Sequence, residues 1–257
     1  MTISSVDCHY SINGSGPPLF LTHGIGAAED AWRFMLPKLS KHFTVITYDL
    51  RGHGKSPITH KNFTLDELVI DLERIREKTK FETAHFAGHS LGGMIAPAYA
   101  LKFPEHTISV GLLSTVAGRS EEDSKKVWNV INEMEKNGIE KTLQTLTNRW
   151  FTDEFIKNNH DLVKRRLKQV VDTDSEVFLN VFKIYAKTEM LPWLKNISKP
   201  CLLLTGEHDG GCSPKHNEIM ANEIKDSKLV ILPKYKHSFL IEAPDEVAES
   251  LIEFMHE

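Results

Sequence analysis

The stretch T-A-H-F-A-G-H-S-L-G-G, residues 83–93, decides the fold of this chain. Its first part, Thr83 to Ala87, is a short run with β character that lies between charged residues and a glycine, which predicts a buried strand. Residues 88–92 then fit the pattern G-x-S-x-G, and the alanine-rich segment Met94 to Phe103 predicts a helix. A strand that turns directly into a helix strains its middle residue, and bulky neighbours two positions away would collide. We therefore predict that Ser90 is exposed on a sharp turn at the N-terminus of a helix.

This arrangement is typical of a nucleophile elbow, the turn that presents a catalytic serine. The pattern G-x-S-x-G alone is weak evidence, because a serine between glycines can simply cap a helix. The flanking strand and helix, together with the acid and base described below, favour the catalytic interpretation.

Length and composition are those of one α/β domain with an insertion. The chain has 257 residues, 40% of them hydrophobic, which is enough for a substantial core. Its formal net charge is −4 and its basic residues are scattered among acidic ones, so we expect no nucleic-acid partner. The first residues lack the features of a signal peptide, and no apolar run reaches the ~18 residues of a membrane span. We expect a cytoplasmic protein with no membrane partner, and the sequence does not predict its oligomeric state.

Cysteine and histidine spacing points away from metal and redox chemistry. The three cysteines, Cys8, Cys201 and Cys212, cannot all pair within the chain and show no C-x-x-C spacing, so we expect free thiols. Ligand patterns such as H-E-x-x-H do not occur. We expect neither a metal nor a cofactor.

The sequence H-G-I-G at residues 23–26 follows an apolar run, Leu19 to Thr22, that predicts a strand. It could begin a dinucleotide-binding fingerprint, but Glu29 stands where close helix packing needs Gly or Ala. We prefer an oxyanion loop, in which the backbone N–H groups of Ile25 and Leu91 point at the developing oxyanion. The histidine of this loop is predicted to be a structural neighbour and not a base.

The sequence before the elbow predicts elements with a structural role. Residues 2–12 alternate weakly, and the turn signal N-G-S-G-P-P at residues 13–18 predicts a hairpin of two strands. The loop D-L-R-G-H-G-K-S, which begins at Asp49, predicts a network between Asp49 and Arg51 with a structural role. The pattern T-x-x-E at residues 64–67 predicts a capping box for a helix with one apolar stripe.

The segment from Ala117 to about Ile197 shows no strand pattern, and four amphipathic helical segments can be drawn in it, one of them from Phe155 to Val171. A helical block between two strands predicts a cap, residues 117–197, over an α/β core formed by residues 1–116 and 198–257. Most of its apolar residues should pack as core. A minority should line an apolar pocket, namely Trp128, Met134, Trp150 and Met190.

A serine hydroxyl needs a base within hydrogen-bond reach, and that base needs a carboxylate to orient it. The chain order Ser90, Asp209, His237 supplies all three groups. Asp209 and His237 each follow a predicted strand, so in a parallel sheet they emerge at the same edge as Ser90. Glu207 remains a rival for the acid. Among thirteen histidines, His237 is preferred because it follows the last predicted strand, Lys228 to Leu232.

Across essentially its full length the chain resembles the α/β-hydrolase superfamily. The matching stretches are H-G-I-G, D-L-R-G-H-G-K-S, G-H-S-L-G-G, G-E-H-D and K-H-S-F-L-I-E-A-P-D-E-V. The resemblance implies a mostly parallel central sheet flanked by helices, with an inserted helical cap. Within the superfamily the chain is similar to small bacterial carboxylesterases and 3-oxoadipate enol-lactonases. That similarity implies Ser90 as nucleophile, His237 as base, Asp209 as its orienting acid, and Ile25 and Leu91 as oxyanion donors.

The expected activity is acyl transfer from a small or medium-sized apolar carboxylic ester to water. A lactonase that acts on a carboxylated ring is an alternative and would need a cation in the cap pocket, for which Arg119, Arg149 and Lys187 are candidates. A C–C bond hydrolase could use the same three residues. A ligand receptor that kept the fold would bind its ligand with slow turnover. An aspartate nucleophile, as in haloalkane dehalogenases, is excluded because residue 90 is serine.

Overall fold

Seven strands form a single sheet in the computed structural model, which describes residues 4–256. The strands are β1 (Tyr10–Asn13), β2 (Pro18–Thr22), β3 (Thr44–Tyr48), β4 (Ala84–His89), β5 (Thr107–Leu113), β6 (Cys201–Gly206) and β7 (Ser227–Leu232). Their order is β1-β3-β2-β4-β5-β6-β7, and within the described residues only β1 runs antiparallel to its neighbour. The predicted mostly parallel sheet is confirmed.

Helices connect most of the strands. They are α1 (Leu36–Leu39), α2 (Leu65–Thr79), α3 (Gly92–Lys102), α4 (Glu121–Asn137), α5 (Ile139–Trp150), α6 (Asp153–Asn158), α7 (His160–Asp172), α8 (Ser175–Lys187), α9 (Leu191–Leu194), α10 (Pro214–Glu223), α11 (Phe239–Glu242) and α12 (Pro244–His256). The capping box is confirmed: the Thr64 side chain accepts from the Glu67 backbone N–H, and the Glu67 side chain accepts from the Thr64 N–H. None of the helices in residues 4–256 combines the length and the hydropathy needed to cross a membrane.

Six helices, α4–α9, lie between β5 and β6, and we call this segment the insert. The long helix predicted from Phe155 to Val171 is wrong: α6 and α7 are separate, because Asn159 between them has a non-helical backbone (φ −134°, ψ 46°). Apolar residues of the insert, among them Val177 and Phe178, belong to the same buried cluster as Phe20 of β2. The division into a core of residues 1–116 and 198–257 and a cap of residues 117–197 remains a prediction.

The predicted hairpin at the start of the chain is wrong. β1 pairs with β3, with Tyr10 opposite Tyr48, and β2 lies between β3 and β4. The reason is burial. Leu19 and Leu21 of β2 are fully buried on one face of the sheet and Phe20 on the other, so β2 suits an interior position with a partner on each side. The half-exposed β1 occupies the edge.

The predicted network between Asp49 and Arg51 is also wrong. Arg51 is fully buried and pairs with Asp71 of α2, with 2.6 Å between Nε and Oδ2, and with Glu67. Asp49 instead accepts backbone N–H groups, those of Glu29 and Lys55. A buried guanidinium needs a carboxylate partner, and helix α2 supplies one where the loop does not.

Candidate active site

The chain turns sharply between β4, which ends at His89, and α3, which begins at Gly92. Ser90 at this turn has φ +58°, in the left-handed region that costs free energy for a residue with a side chain. A Cβ atom on Gly88 would lie 2.0 Å from the carbonyl oxygen of Gly92, and one on Gly92 would lie 2.2 Å from that of Thr22. Both positions therefore require glycine, as the predicted elbow does.

Ser90 is nonetheless not exposed, so that part of the prediction is wrong. Its relative exposure is 7%, because helices of the insert cover the turn and leave a cavity of about 140 Å³ above it. Ser90, Ile25 and His237 all line this cavity.

His237 and Asp209 form a hydrogen-bonded pair that lines the same cavity as Ser90. The distance between His237 Nδ1 and Asp209 Oδ2 is 2.7 Å, and the Asp209 side chain is almost completely buried. Asp209 follows β6 and His237 follows β7, so both loops emerge at the carboxyl edge of the parallel strands, where β4 also ends. Because Nδ1 bonds to the carboxylate, Nε2 is the ring nitrogen left for a reacting group.

Four donors hold the Asp209 carboxylate. Besides His237, the Ser114 hydroxyl donates to Oδ2 at 2.5 Å, and the backbone N–H groups of Gly211 and Cys212 donate to Oδ1 at 2.9 Å each. Ser114 follows β5 and has φ +45°. Sequence reasoning missed this residue, although its position directly after a strand at the same sheet edge was a usable signal.

Two opposing effects set the titration of the pair. Burial, the largest single effect, lowers the pKa of His237 and raises that of Asp209. The attraction and the hydrogen bond between the two groups, together with interactions from Ser114 and Cys212, outweigh burial, so the pKa of His237 is raised and that of Asp209 lies below its usual range. The pair therefore favours the imidazolium that forms when the ring accepts a proton. Glu207, the rival acid, is half-exposed and accepts the Lys234 backbone N–H instead.

The loop after β2, residues 23–30 and called the β2 loop below, lies against Ser90: a Cβ atom on Gly24 would be 3.0 Å from the Cβ atom of Ser90. His23 Nε2 accepts the Leu50 N–H at 2.9 Å, so Nδ1 carries the ring proton and donates to the Gly24 carbonyl at 2.8 Å. That carbonyl belongs to the same peptide group as the Ile25 N–H, whose direction His23 therefore holds. Burial lowers the pKa of His23 to about 4, which keeps the ring neutral. Within residues 4–256, neither the Ile25 N–H nor the Leu91 N–H has a hydrogen-bond acceptor.

The cavity wall is apolar toward the insert and basic at several points. Apolar lining comes from Val127, Val130, Leu146, Trp150, Phe178 and Phe182, and the lining arginines are Arg33, Arg149, Arg165 and Arg166.

Of the four predicted pocket residues, the lining includes Trp150 but, among the described residues, not Trp128, Met134 or Met190. Met134 and Met190 pack in the buried core. In α4 the lining residue is Val127, and Trp128 lies about 100° farther around the helix.

Among residues 4–256, two groups of side chains have metal-ligating atoms within 4.8 Å of one another: Asp209, Cys212 and His237, and His9, Glu29 and Asp49. The carboxylates of Asp209 and Asp49 already accept backbone N–H groups in these positions. The expected absence of a metal remains a prediction. All three cysteines are free and buried, as expected.

A mostly parallel sheet with a serine on a strained turn between a central strand and a helix defines the class of α/β hydrolases. Comparison with known proteins gives the family: the model for the alpha/beta hydrolase fold matches residues 17–244. The chain therefore belongs to the alpha/beta hydrolase fold family, a family of hydrolytic enzymes.

Several relatives match nearly the whole chain. The 3-oxoadipate enol-lactonase 1 of Acinetobacter baylyi is 28% identical over 238 residues, which cover 91% of this chain and 88% of that protein. The (E)-2-((N-methylformamido)methylene)succinate hydrolase of the same species is 25% identical and covers 95% and 92%. The crystal structure of the enol-lactonase from Burkholderia xenovorans LB400 superposes with a TM-score of 0.90 at 25% identity, over 97% of this chain and 96% of that one. The resemblance seen in the motifs is confirmed.

Proposed function

We propose that this protein is a serine hydrolase that cleaves carboxylic esters by acyl transfer. The Ser90 oxygen attacks the carbonyl carbon, and His237 Nε2 takes its proton and passes it to the leaving alcohol. Water then attacks the acyl-enzyme through the same base, which releases the acid and restores the Ser90 hydroxyl. The N–H groups of Ile25 and Leu91 stabilise the oxyanion in both steps.

One observation carries this proposal. The hydrogen bond of 2.7 Å between His237 and Asp209 lies at a cavity that Ser90 also lines, on a turn whose geometry excludes side chains at two neighbouring positions. Strained backbone of this kind is concentrated at active sites. The two backbone N–H groups without acceptors support the assignment of Ile25 and Leu91.

The lining arginines favour substrates that carry a carboxylate, which is the lactonase alternative. Arg33 and Arg165 are paired with Asp30, but Arg149 and Arg166 have no carboxylate partner among the described residues. Two such guanidinium groups make the cavity favourable for an anion. The 3-oxoadipate enol-lactonases among the relatives are consistent with this charge.

Arg149 is the one candidate cation from the sequence that lines the cavity. Arg119 donates to the carbonyls of Tyr185 and Ala186, and neither Arg119 nor Lys187 is part of the described lining. We therefore assign the substrate carboxylate to Arg149.

Two esters of equal acyl length distinguish hydrolysis as such from recognition of a substrate carboxylate. They are p-nitrophenyl butyrate and mono-p-nitrophenyl succinate, in which a carboxylate replaces the terminal methyl group of the butyrate. We expect Ser90→Ala to abolish turnover of both, and full activity of that variant would contradict the hydrolase proposal. A charged hydrogen bond is worth about 1.5–3 kcal/mol, so kcat/KM should favour the succinate ester by at least about tenfold. Arg149→Gln should remove that preference, whereas the control Lys187→Gln should keep it. Equal preference in the wild type would refute the carboxylate assignment alone.

The remaining alternatives are distinguished by other measurements. A C–C bond hydrolase could cleave activated esters with the same serine, so a much higher kcat/KM for a C–C substrate than for either ester would identify it. A receptor would release at most one equivalent of nitrophenol, because its acyl form would persist.

A further inference from the structure

Helix α7 of the insert contacts the β2 loop through Arg166. The Arg166 guanidinium donates from Nη1 to the Gly26 carbonyl at 2.6 Å and from Nη2 to the Ile25 carbonyl at 2.9 Å. One side chain thus holds two consecutive peptide groups. These are the peptide groups that directly follow Ile25, the residue whose N–H faces the cavity in the proposed function.

The same face of α7 makes a second contact with this loop. Arg165 Nη2 lies 2.6 Å from Asp30 Oδ2, and Gln169 Nε2 lies 2.5 Å from Asp30 Oδ1. Residues 165, 166 and 169 are one and four positions apart, a spacing that places 165 and 169 on neighbouring turns. Both ends of the β2 loop segment from Ile25 to Asp30 are therefore bound to the insert.

Packing leaves the loop little room to move. Gly26 has φ +57°, and a Cβ atom on it would lie 2.6 Å from a ring carbon of Phe178 in α8. Arg166 is itself held by Trp150 of α5, whose ring centroid is 4.8 Å from the guanidinium carbon. Burial lowers the pKa of Arg166 to about 10, so the group stays cationic at neutral pH.

We propose that Arg166 is a positioning residue for the oxyanion. His23 holds the peptide group before Ile25 and Arg166 holds the two after it, so the direction of the Ile25 N–H is set from both sides. His23 belongs to the β2 loop itself, but Arg166 belongs to the insert. The donor is therefore correctly directed only when α7 lies against the β2 loop. This inference depends on the proposed function for its catalytic meaning.

A neutral substrate, p-nitrophenyl acetate, tests this role apart from any binding of a substrate carboxylate. Loss of a direct oxyanion donor costs about 10²–10³ in kcat, and loss of its support should cost less. We expect Arg166→Met to lower kcat by about 10- to 100-fold while KM changes by less than about threefold. Arg166→Lys can serve one carbonyl at a time and should recover part of the loss. Lys168→Met on the exposed side of α7 is the matched control and should keep the wild-type kcat.

Binding of a transition-state analogue distinguishes positioning from a purely structural role. Phenylboronic acid forms a tetrahedral adduct with a reactive serine and places a negatively charged oxygen at the oxyanion position. Its inhibition constant should rise in Arg166→Met by the same factor by which kcat/KM falls. An unchanged kcat, or a loss of kcat with an unchanged inhibition constant, would overturn the proposal.

Hydrogen exchange tests the contact without requiring any activity. Amide exchange in a peptide that covers residues 24–31 should be faster in Arg166→Met and in Asp30→Asn than in the wild type and in Lys168→Met. Unchanged exchange would overturn the proposal even if the enzyme is active. If wild-type turnover does not depend on Ser90, the proposed function fails, and faster exchange would still establish that α7 holds the loop.

Discussion

Replacement of Asp209 by asparagine tests the acid and base most directly. The amide oxygen of asparagine can keep the two backbone donors, the N–H groups of Gly211 and Cys212. Its NH₂ group then occupies the Oδ2 position, where it meets the Nδ1–H of His237 and the Ser114 hydroxyl. The hydroxyl can rotate to accept, but the imidazole must move its proton from Nδ1 to Nε2. The tautomer that results has no lone pair to take the Ser90 proton.

The size and the pH dependence of the loss both follow from this geometry. The equivalent change in the serine protease template lowers kcat by about 10⁴-fold, which corresponds to ~5.4 kcal/mol of transition-state stabilisation. In the wild type the carboxylate raises the pKa of His237, and in the proposed mechanism His237 accepts a proton only when it is neutral. Activity should therefore be low in acid and rise with pH, with a midpoint above the ordinary histidine value of ~6.5. In Asp209→Asn the midpoint of the residual activity should move to lower pH.

The assay measures kcat/KM for p-nitrophenyl acetate between pH 5 and 9. The rate of the Ser90→Ala variant is the background and is subtracted. Glu207→Gln is the matched control, because that carboxylate lies two residues away but bonds to Lys234 and not to His237. We expect the control to keep the wild-type rate and profile. Three results would refute the reasoning. Asp209→Asn could keep more than a tenth of the wild-type activity, its pH midpoint could stay unchanged, or Glu207→Gln could lose as much activity as Asp209→Asn.

Three further substitutions test the support of the site and the fold. Ser114→Ala removes one hydrogen-bond donor to the Asp209 carboxylate and should lower kcat about tenfold, since a hydrogen bond to a charged group contributes about 1.5–3 kcal/mol. Steady-state kinetics would measure this loss, and an unchanged circular dichroism spectrum would show that the variant is folded. Gly88→Ala should reduce the free energy of unfolding by about 3 kcal/mol or more. Its control, Gly210→Ala, has open space around the new Cβ atom and should change the free energy of unfolding by less than about 0.5 kcal/mol. Equal denaturation midpoints of the two variants would contradict the steric argument. Arg51→Met leaves a buried carboxylate unpaired and should cost about 3–5 kcal/mol, while Arg74→Met at an exposed pair should leave the urea midpoint unchanged.

Local sequence signals were sufficient to predict the sharp turn at Ser90. Two glycines around Ser90, a preceding apolar strand and a following helix are properties of neighbouring residues, so the turn could be predicted without knowing its surroundings. The same holds for the capping box of α2. Asp209 and His237 were selected by their positions after strands, and the structure places them 2.7 Å apart because parallel strands end at one edge.

One error is local: the helix predicted from Phe155 to Val171 is interrupted at Asn159. The errors about β2 and Arg51 concern partners that are distant along the chain. The sequence contains a turn between β1 and β2, but the place of β2 inside the sheet depends on burial of both its faces, which only the complete sheet defines. Arg51 forms its ion pair with a carboxylate of α2 and not with one in its own loop.

By itself, the sequence determined the α/β class of this protein, its strained serine turn and the order of its candidate catalytic residues, because these are set by local backbone sterics and by chain order. Tertiary structure decided that Ser90 is buried, that the Ser114 hydroxyl donates to Asp209, and that Arg166 reaches the β2 loop from 140 residues away. Helical periodicity shows which residues of the insert are apolar, but not which of them face the cavity. That choice depends on the rotation of each helix against the sheet, and packing of the whole molecule sets it.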